Sequence, residues 1–213
     1  AIDGGHDYDQ SLSRLIATNP QLTPYELYER MSIEDVRMTA DVLRGVYDHT
    51  HGADGFVSIE VSPRVAHDTH ASISEGMRLW EEVDRPNLMI KIPATVEGVP
   101  AIEQLLAQGI NVNVTLMFSL AHYNAVAAAF LRGIERAQDP TRIASAASIF
   151  VSRIDTAVDL ALDEIGTPEA LALRGKVAIA NARVIYARFR KLFYSARFAA
   201  LQLRGVRVQR VLW

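Results

Sequence analysis

Four short runs alternate apolar and polar residues, and each leads into a helical pattern. No other feature narrows the folds open to this chain as much. In Phe56-Val57-Ser58-Ile59-Glu60-Val61, Val57, Ile59 and Val61 share one side of a strand, and Ser58 and Glu60 share the other, because successive side chains point to opposite faces. By the same rule Leu88, Ile90 and Ile92 oppose Met89, Lys91 and Pro93. Val112, Val114 and Leu116 oppose Asn111, Asn113 and Thr115, and Ala147, Ile149 and Val151 oppose Ala146, Ser148 and Phe150. Strands separated by helices imply right-handed βαβ units and a parallel sheet. An open doubly wound sheet buries both faces, so its strands read as apolar throughout. Here one face is aliphatic and the other carries polar groups. Closure into a (β/α) barrel, with the polar faces converging on the axis, fits better.

The expected strands lie at about 56–61, 88–93, 111–118, 144–151 and 207–213, in a single (β/α) barrel domain over residues 1–213. Helical sequence precedes and separates them. Asp7–Ala17 reads as a short helix, and Pro24 after Thr23 suits the start of another. Ser32-Ile33-Glu34-Asp35 resembles a capping box opening a helix to about Tyr47. Further helices are expected over 68–83, 99–108, 119–138 and 152–165, and with interruptions from Thr167 to about Leu203. The tetrapeptide Thr18-Asn19-Pro20-Gln21 falls between helices and reads as a loop.

A net charge of −3 leaves no footprint for nucleic acid or an anionic membrane surface. No apolar run approaches the roughly 20 residues that span a bilayer. The absence of cysteine excludes disulfides and thiolate chemistry and makes a reducing cytoplasm the default compartment. The chain starts Ala1-Ile2-Asp3-Gly4 and stops inside the apolar run Val211-Leu212-Trp213, so both ends read as cuts.

Lys91 stands out, flanked by apolar neighbours on both sides. It is either a strand-end lysine whose ammonium snorkels to solvent or a desolvated lysine that attacks a carbonyl as its free amine. Its shared parity with Glu60, Asn113, Thr115 and Ser148 favours the second. Imine formation needs proton transfers and loss of water, which call for a carboxylate and a water-holding hydroxyl. Glu60 and Thr115 supply these, and Asn113 and Ser148 supply donors for substrate hydroxyls. Arg153 enters the helix after the fourth strand, where it either binds a phosphate with help from the helix N-terminus or pairs with a carboxylate such as Asp155. Neither His49-Thr50-His51 nor His67-Asp68-Thr69-His70 has zinc-type spacing with a third ligand, so both read as solvated loop residues and no metal is expected.

These residues carry a resemblance to a known family. Residues 58–63 (Ser-Ile-Glu-Val-Ser-Pro), 87–95 (Asn-Leu-Met-Ile-Lys-Ile-Pro-Ala-Thr), 109–116 (Gly-Ile-Asn-Val-Asn-Val-Thr-Leu) and 148–155 (Ser-Ile-Phe-Val-Ser-Arg-Ile-Asp) resemble signature segments of the transaldolases, especially the longer bacterial ones. The resemblance implies a (β/α)₈ TIM barrel of the class I aldolase kind. It implies transfer of a dihydroxyacetone unit from sedoheptulose 7-phosphate to glyceraldehyde 3-phosphate in the pentose phosphate pathway, with no cofactor. By the same resemblance Lys91 matches the Schiff-base lysine, and Glu60 and Thr115 match the pair holding the catalytic water. Asn113 and Ser148 match contacts to the dihydroxyacetone moiety, Phe150 an aromatic lining the site, and Arg153 a phosphate ligand. The family's first-strand acid/base aspartate, its following Thr/Ser-Asn-Pro strand motif and its second phosphate-binding cation find no counterpart here. The expectation is therefore a central part holding roughly five of eight strands, and little activity if these residues were the whole polypeptide. A homo-oligomer, a fused isomerase domain, simple aldol cleavage of a sugar phosphate and a non-catalytic barrel fragment all stay open.

Overall fold

The computed structural model describes residues 5–213; the reading of Ala1–Gly4 as a cut end lies outside the described residues. Two helices lead in, α1 (Asp9–Thr18) and α2 (Pro24–His49). Then β1 (Val57–Glu60), α3 (Thr69–Val83), β2 (Leu88–Pro93), α4 (Gly98–Ala107), β3 (Val112–Met117), α5 (Leu120–Arg136) and β4 (Ser145–Ile149) alternate. Four helices follow, α6 (Ser152–Ile165), α7 (Pro168–Leu171), α8 (Val177–Phe193) and α9 (Ala196–Gln202), before β5 (Arg210–Leu212). The strands form one sheet in the order β1-β2-β3-β4-β5, every neighbouring pair parallel. Sequential order with helical crossovers is the strand arrangement of a (β/α) barrel, as the alternation implied.

The aliphatic faces build the main core. Ile59, Val61, Leu88, Ile90, Ile92, Val112, Val114, Ala147 and Ile149 are buried there with Leu79 and Val83 of α3, Leu105 and Leu106 of α4, and Phe130 and Ile134 of α5. Met89, Ala144 and Ala146 form a separate small cluster with Phe56. Gly133 lets α5 lie against α4, since a Cβ there would stand 2.7 Å from the Glu103 carbonyl oxygen.

Two buried asparagines pin the strands at their N-terminal ends. The Asn87 amide donates to the carbonyls of Ala40 (2.8 Å) and Gly55 (2.9 Å). The Asn111 amide donates to Leu88 O (2.9 Å) while its oxygen accepts from the Ala144 N–H (2.8 Å). One side chain thus ties β3 to both neighbours and fixes their register. The Asn111 amide is satisfied at both its nitrogen and its oxygen, whereas Asn87 spends only its nitrogen and its buried oxygen has no partner among the described residues. Losing a satisfied buried polar group is costly.

Two expectations need correction. The Ser32 capping box does not exist, because α2 runs unbroken through it for 26 residues. The box sits at Thr23, whose hydroxyl accepts from Glu26 N (3.3 Å) while the Glu26 carboxylate accepts from Thr23 N (2.7 Å). The Ser32 hydroxyl instead donates to Tyr28 O one turn back (2.9 Å), a bond open to any mid-helix serine. Leu116 also leaves its assigned face. β3 shifts register between Val114 and Met117, and Met117, wholly buried, packs in the core where strict alternation places Leu116.

Candidate active site

Three residues in register form the first row of the site: Glu60 of β1 pairs with Lys91 of β2, and Lys91 with Asn113 of β3. Glu60 is the last residue of β1 and Lys91 the fourth of six in β2, toward the strand ends where barrel active sites are built. Asn113 is the second of six in β3 and forms the floor of the row. Lys91 Nζ stands 3.2 Å from Glu60 Oε2, with the side chains 30% and 44% exposed. The carboxylate is within proton-transfer distance of the amine, and both reach solvent. Gly98 closes the turn after Lys91, where a Cβ would collide with the Pro93 carbonyl.

A hydrogen-bonded chain crosses the sheet beside this pair. Ser148 Oγ donates to Asn113 Oδ1 (2.8 Å), and Asn113 Nδ2 donates to Ser58 Oγ (3.1 Å). Asn113 is therefore oriented from both sides. Ser58 was not singled out beforehand, although its parity with Glu60 was the signal that could have found it. Thr115 pairs with Pro93 one step beyond the row and is buried to 1% exposure.

Beyond β4, the Phe150 N–H donates to Met117 O (2.9 Å). Its ring stacks on Phe118, with centroids 5.4 Å apart and planes at 24°. The Arg153 guanidinium lies over the Phe150 ring at 4.6 Å. Asp155 accepts instead from the Ala178 N–H (3.2 Å). Lys91, Glu60, Asn113 and Ser148 thus share a face, Thr115 sits just above, and Phe150 and Arg153 flank the strand exits.

A cavity of about 390 Å³ opens lower on the inner side, lined by Phe56, Ser58, Met89, Asn113, Ala146 and Leu212 among others. Asn113 belongs to both the cavity and the row. The histidine pairs lie elsewhere: His49 ends α2, and His67 Nδ1 is 3.3 Å from Glu97 Oε2. Among the described residues no three His, Asp or Glu side chains group as a metal site requires.

An amine, a carboxylate, hydroxyl and amide donors and a cation at one end of a parallel sheet can together bind and activate a polyhydroxylated carbonyl compound. A family model described as Transaldolase/Fructose-6-phosphate aldolase matches residues 1–208. The chain belongs to this family. Its relatives include a transaldolase of Thermobifida fusca, 53% identical over all of this chain and 58% of that protein. A transaldolase of Frankia alni is 54% identical over 88% of the chain and 52% of that protein, and a "Transaldolase 2" of Streptomyces coelicolor is 50% identical over the whole chain and 58% of its own length. The chain thus spans just over half the length of these relatives. The family match takes in every residue of the row and of its flanks. No helix among the described residues of this transaldolase-family chain is long and apolar enough to cross a membrane.

Proposed function

We propose that the chain carries the Schiff-base site of a transaldolase, moving a dihydroxyacetone unit from sedoheptulose 7-phosphate to glyceraldehyde 3-phosphate in the pentose phosphate pathway of the cytoplasm. The observation that carries this reading is the 3.2 Å approach of Lys91 Nζ to Glu60 Oε2 in register with Asn113. The Lys91 free amine attacks the ketose carbonyl, and the carbinolamine forms as a proton passes from nitrogen to oxygen. Glu60 relays protons while hydroxide leaves as water held by Thr115, giving the protonated imine. A general base then takes the proton of the neighbouring hydroxyl, the role of the acid/base aspartate that the family resemblance implies and these residues do not include. The carbon–carbon bond cleaves as it does so, releasing the aldose phosphate and leaving the electron pair in the enamine. That pair then attacks the acceptor aldehyde, whose oxygen takes the proton back from the same group, and water returns to free the lysine. Asn113 and Ser148 hold the hydroxyls of the three-carbon unit, Phe150 lines the site, and Arg153 takes the phosphate. Metal and organic cofactors have no step in this scheme.

A second reading, simple aldol cleavage of a sugar phosphate, has the double name of the matched family model in its favour. Borohydride added to the complete natural protein with fructose 6-phosphate should trap a three-carbon adduct on Lys91, and Lys91→Met should abolish it. Trapping on another lysine would overturn the assignment. Release of erythrose 4-phosphate only when an acceptor aldehyde is present separates transfer from cleavage.

A further inference from the structure

Leu116 has φ +57°, the left-handed region that a non-glycine residue enters only when its surroundings compel it. Between the pairs Val114–Ala147 and Met117–Ile149, two residues of β3, Thr115 and Leu116, face Ser148 alone. This is a β-bulge, a feature that commonly re-aims side chains beside active sites. Strict alternation would place Phe118 on the helix side with Val112 and Val114. The extra residue brings it to the side of Phe150, where the two rings stack. The Phe118 backbone is held as well, its N–H facing His122 Nδ1 (3.4 Å) and its carbonyl accepting from the Asn181 amide of α8 (3.1 Å).

We propose that Phe118, set by the left-handed Leu116, is a positioning residue that holds the Arg153 guanidinium toward the substrate phosphate through the Phe150 ring. The inference rests on the reading of Arg153 as the phosphate ligand. Arginine is a long side chain that loses rotamer freedom when it binds, and a guanidinium already stacked on a fixed ring loses less. Phe150 alone follows the end of β4, and its contact with Phe118 gives its ring a fixed neighbour.

The test compares kcat/KM for glyceraldehyde 3-phosphate with that for unphosphorylated glyceraldehyde as acceptors, in the complete natural protein. Arg153→Ala should lower this ratio by about ten- to a hundredfold, as for one charged hydrogen bond. Phe118→Leu should lower it by about two- to fivefold, the size of an exposed cation–π contact, chiefly through KM of the phosphorylated acceptor. Phe118→Tyr, which keeps the ring, should restore the ratio. Adding Phe118→Leu to Arg153→Ala should reduce the ratio no further, since the effect passes through the cation. Equal losses for both acceptors, or an additive loss in the double variant, would overturn the inference. An unmoved ratio in Arg153→Ala would instead overturn the phosphate reading itself. If Phe118→Leu fails to fold, Phe118→Met is read in the same way.

Discussion

β2 and β3 are neighbours, each six residues long and paired in parallel, yet they solve the same problem differently. β2 keeps its alternation to the end: Leu88, Ile90 and Ile92 enter the core, and Lys91 stands on the other side. β3 keeps it only as far as Thr115, then inserts Leu116 and turns Met117 into the core instead. The difference lies in what each strand must present. β2 offers one long, flexible side chain, which reaches its partner from a regular backbone. β3 is followed at once by the ring of Phe118, and the extra residue turns that ring to the side of Phe150, where the two stack.

The largest effect expected from disturbing either strand is chemical. Thr115→Ala should slow build-up of the borohydride-trappable adduct by up to about 10²- to 10⁴-fold, the usual worth of positioned proton transfer, because the water beside the Glu60 relay loses its anchor. An unchanged rate would leave β3 with no part in water handling. Next comes the re-phased core. Met117→Ala should cost about 2–5 kcal/mol in a denaturant titration, like Ile90→Ala in β2, because both side chains are wholly buried. Leu116→Ala should cost clearly less than Met117→Ala, and the reverse order would remove the bulge from the comparison. Smaller still is the backbone term. Leu116→Val should lose about 1–2 kcal/mol relative to Leu116→Gly, since glycine alone enters the left-handed region without a Cβ penalty.

The smallest effect serves as a control outside both strands. The Thr23 backbone N–H, with its hydroxyl, holds the Glu26 carboxyl below its ordinary value of 4.5. A depressed carboxyl stabilises the fold above its unfolded pKa, and the contribution fades as pH falls through the folded value. The stability gap between the parent and Glu26→Gln should therefore be full at pH 7 and close below pH 4.5. A gap independent of pH would show that the box acts without its charge.

Much of this was legible in the sequence. Alternation alone put Glu60, Lys91, Asn113 and Ser148 on one face, because burial on one side of a strand fixes parity. The bulge was not legible, since Leu116 is as apolar as the Met117 that replaces it and hydropathy cannot separate them. Phe118 was missed for the same reason: its spacing from Asn113 assigns it to the wrong side unless the extra residue is known. The false start at Ser32 had another cause. A capping box is a local pattern, and a half-buried polar turn in the middle of a long helix, here around the core residue Ile33, matches it by composition. Ser58 was visible by parity with Glu60, but nothing in the sequence says that Asn113 reaches across to β1 as well as to Ser148.

The hydrogen-bonded chain from Ser148 through Asn113 to Ser58 carries a kinetic consequence. Its two links join residues 35 and 55 positions apart, and each is closed only after an intervening helix has crossed over the sheet. Such distant parallel pairings form slowly, because loop closure precedes any reward from the contacts. Asn113 therefore has both of its partners only once β1, β3 and β4 are all in place. In a refolding experiment the ability to capture a ketose should emerge after helical signal has recovered, making the chemistry a clock for the final closure of the sheet.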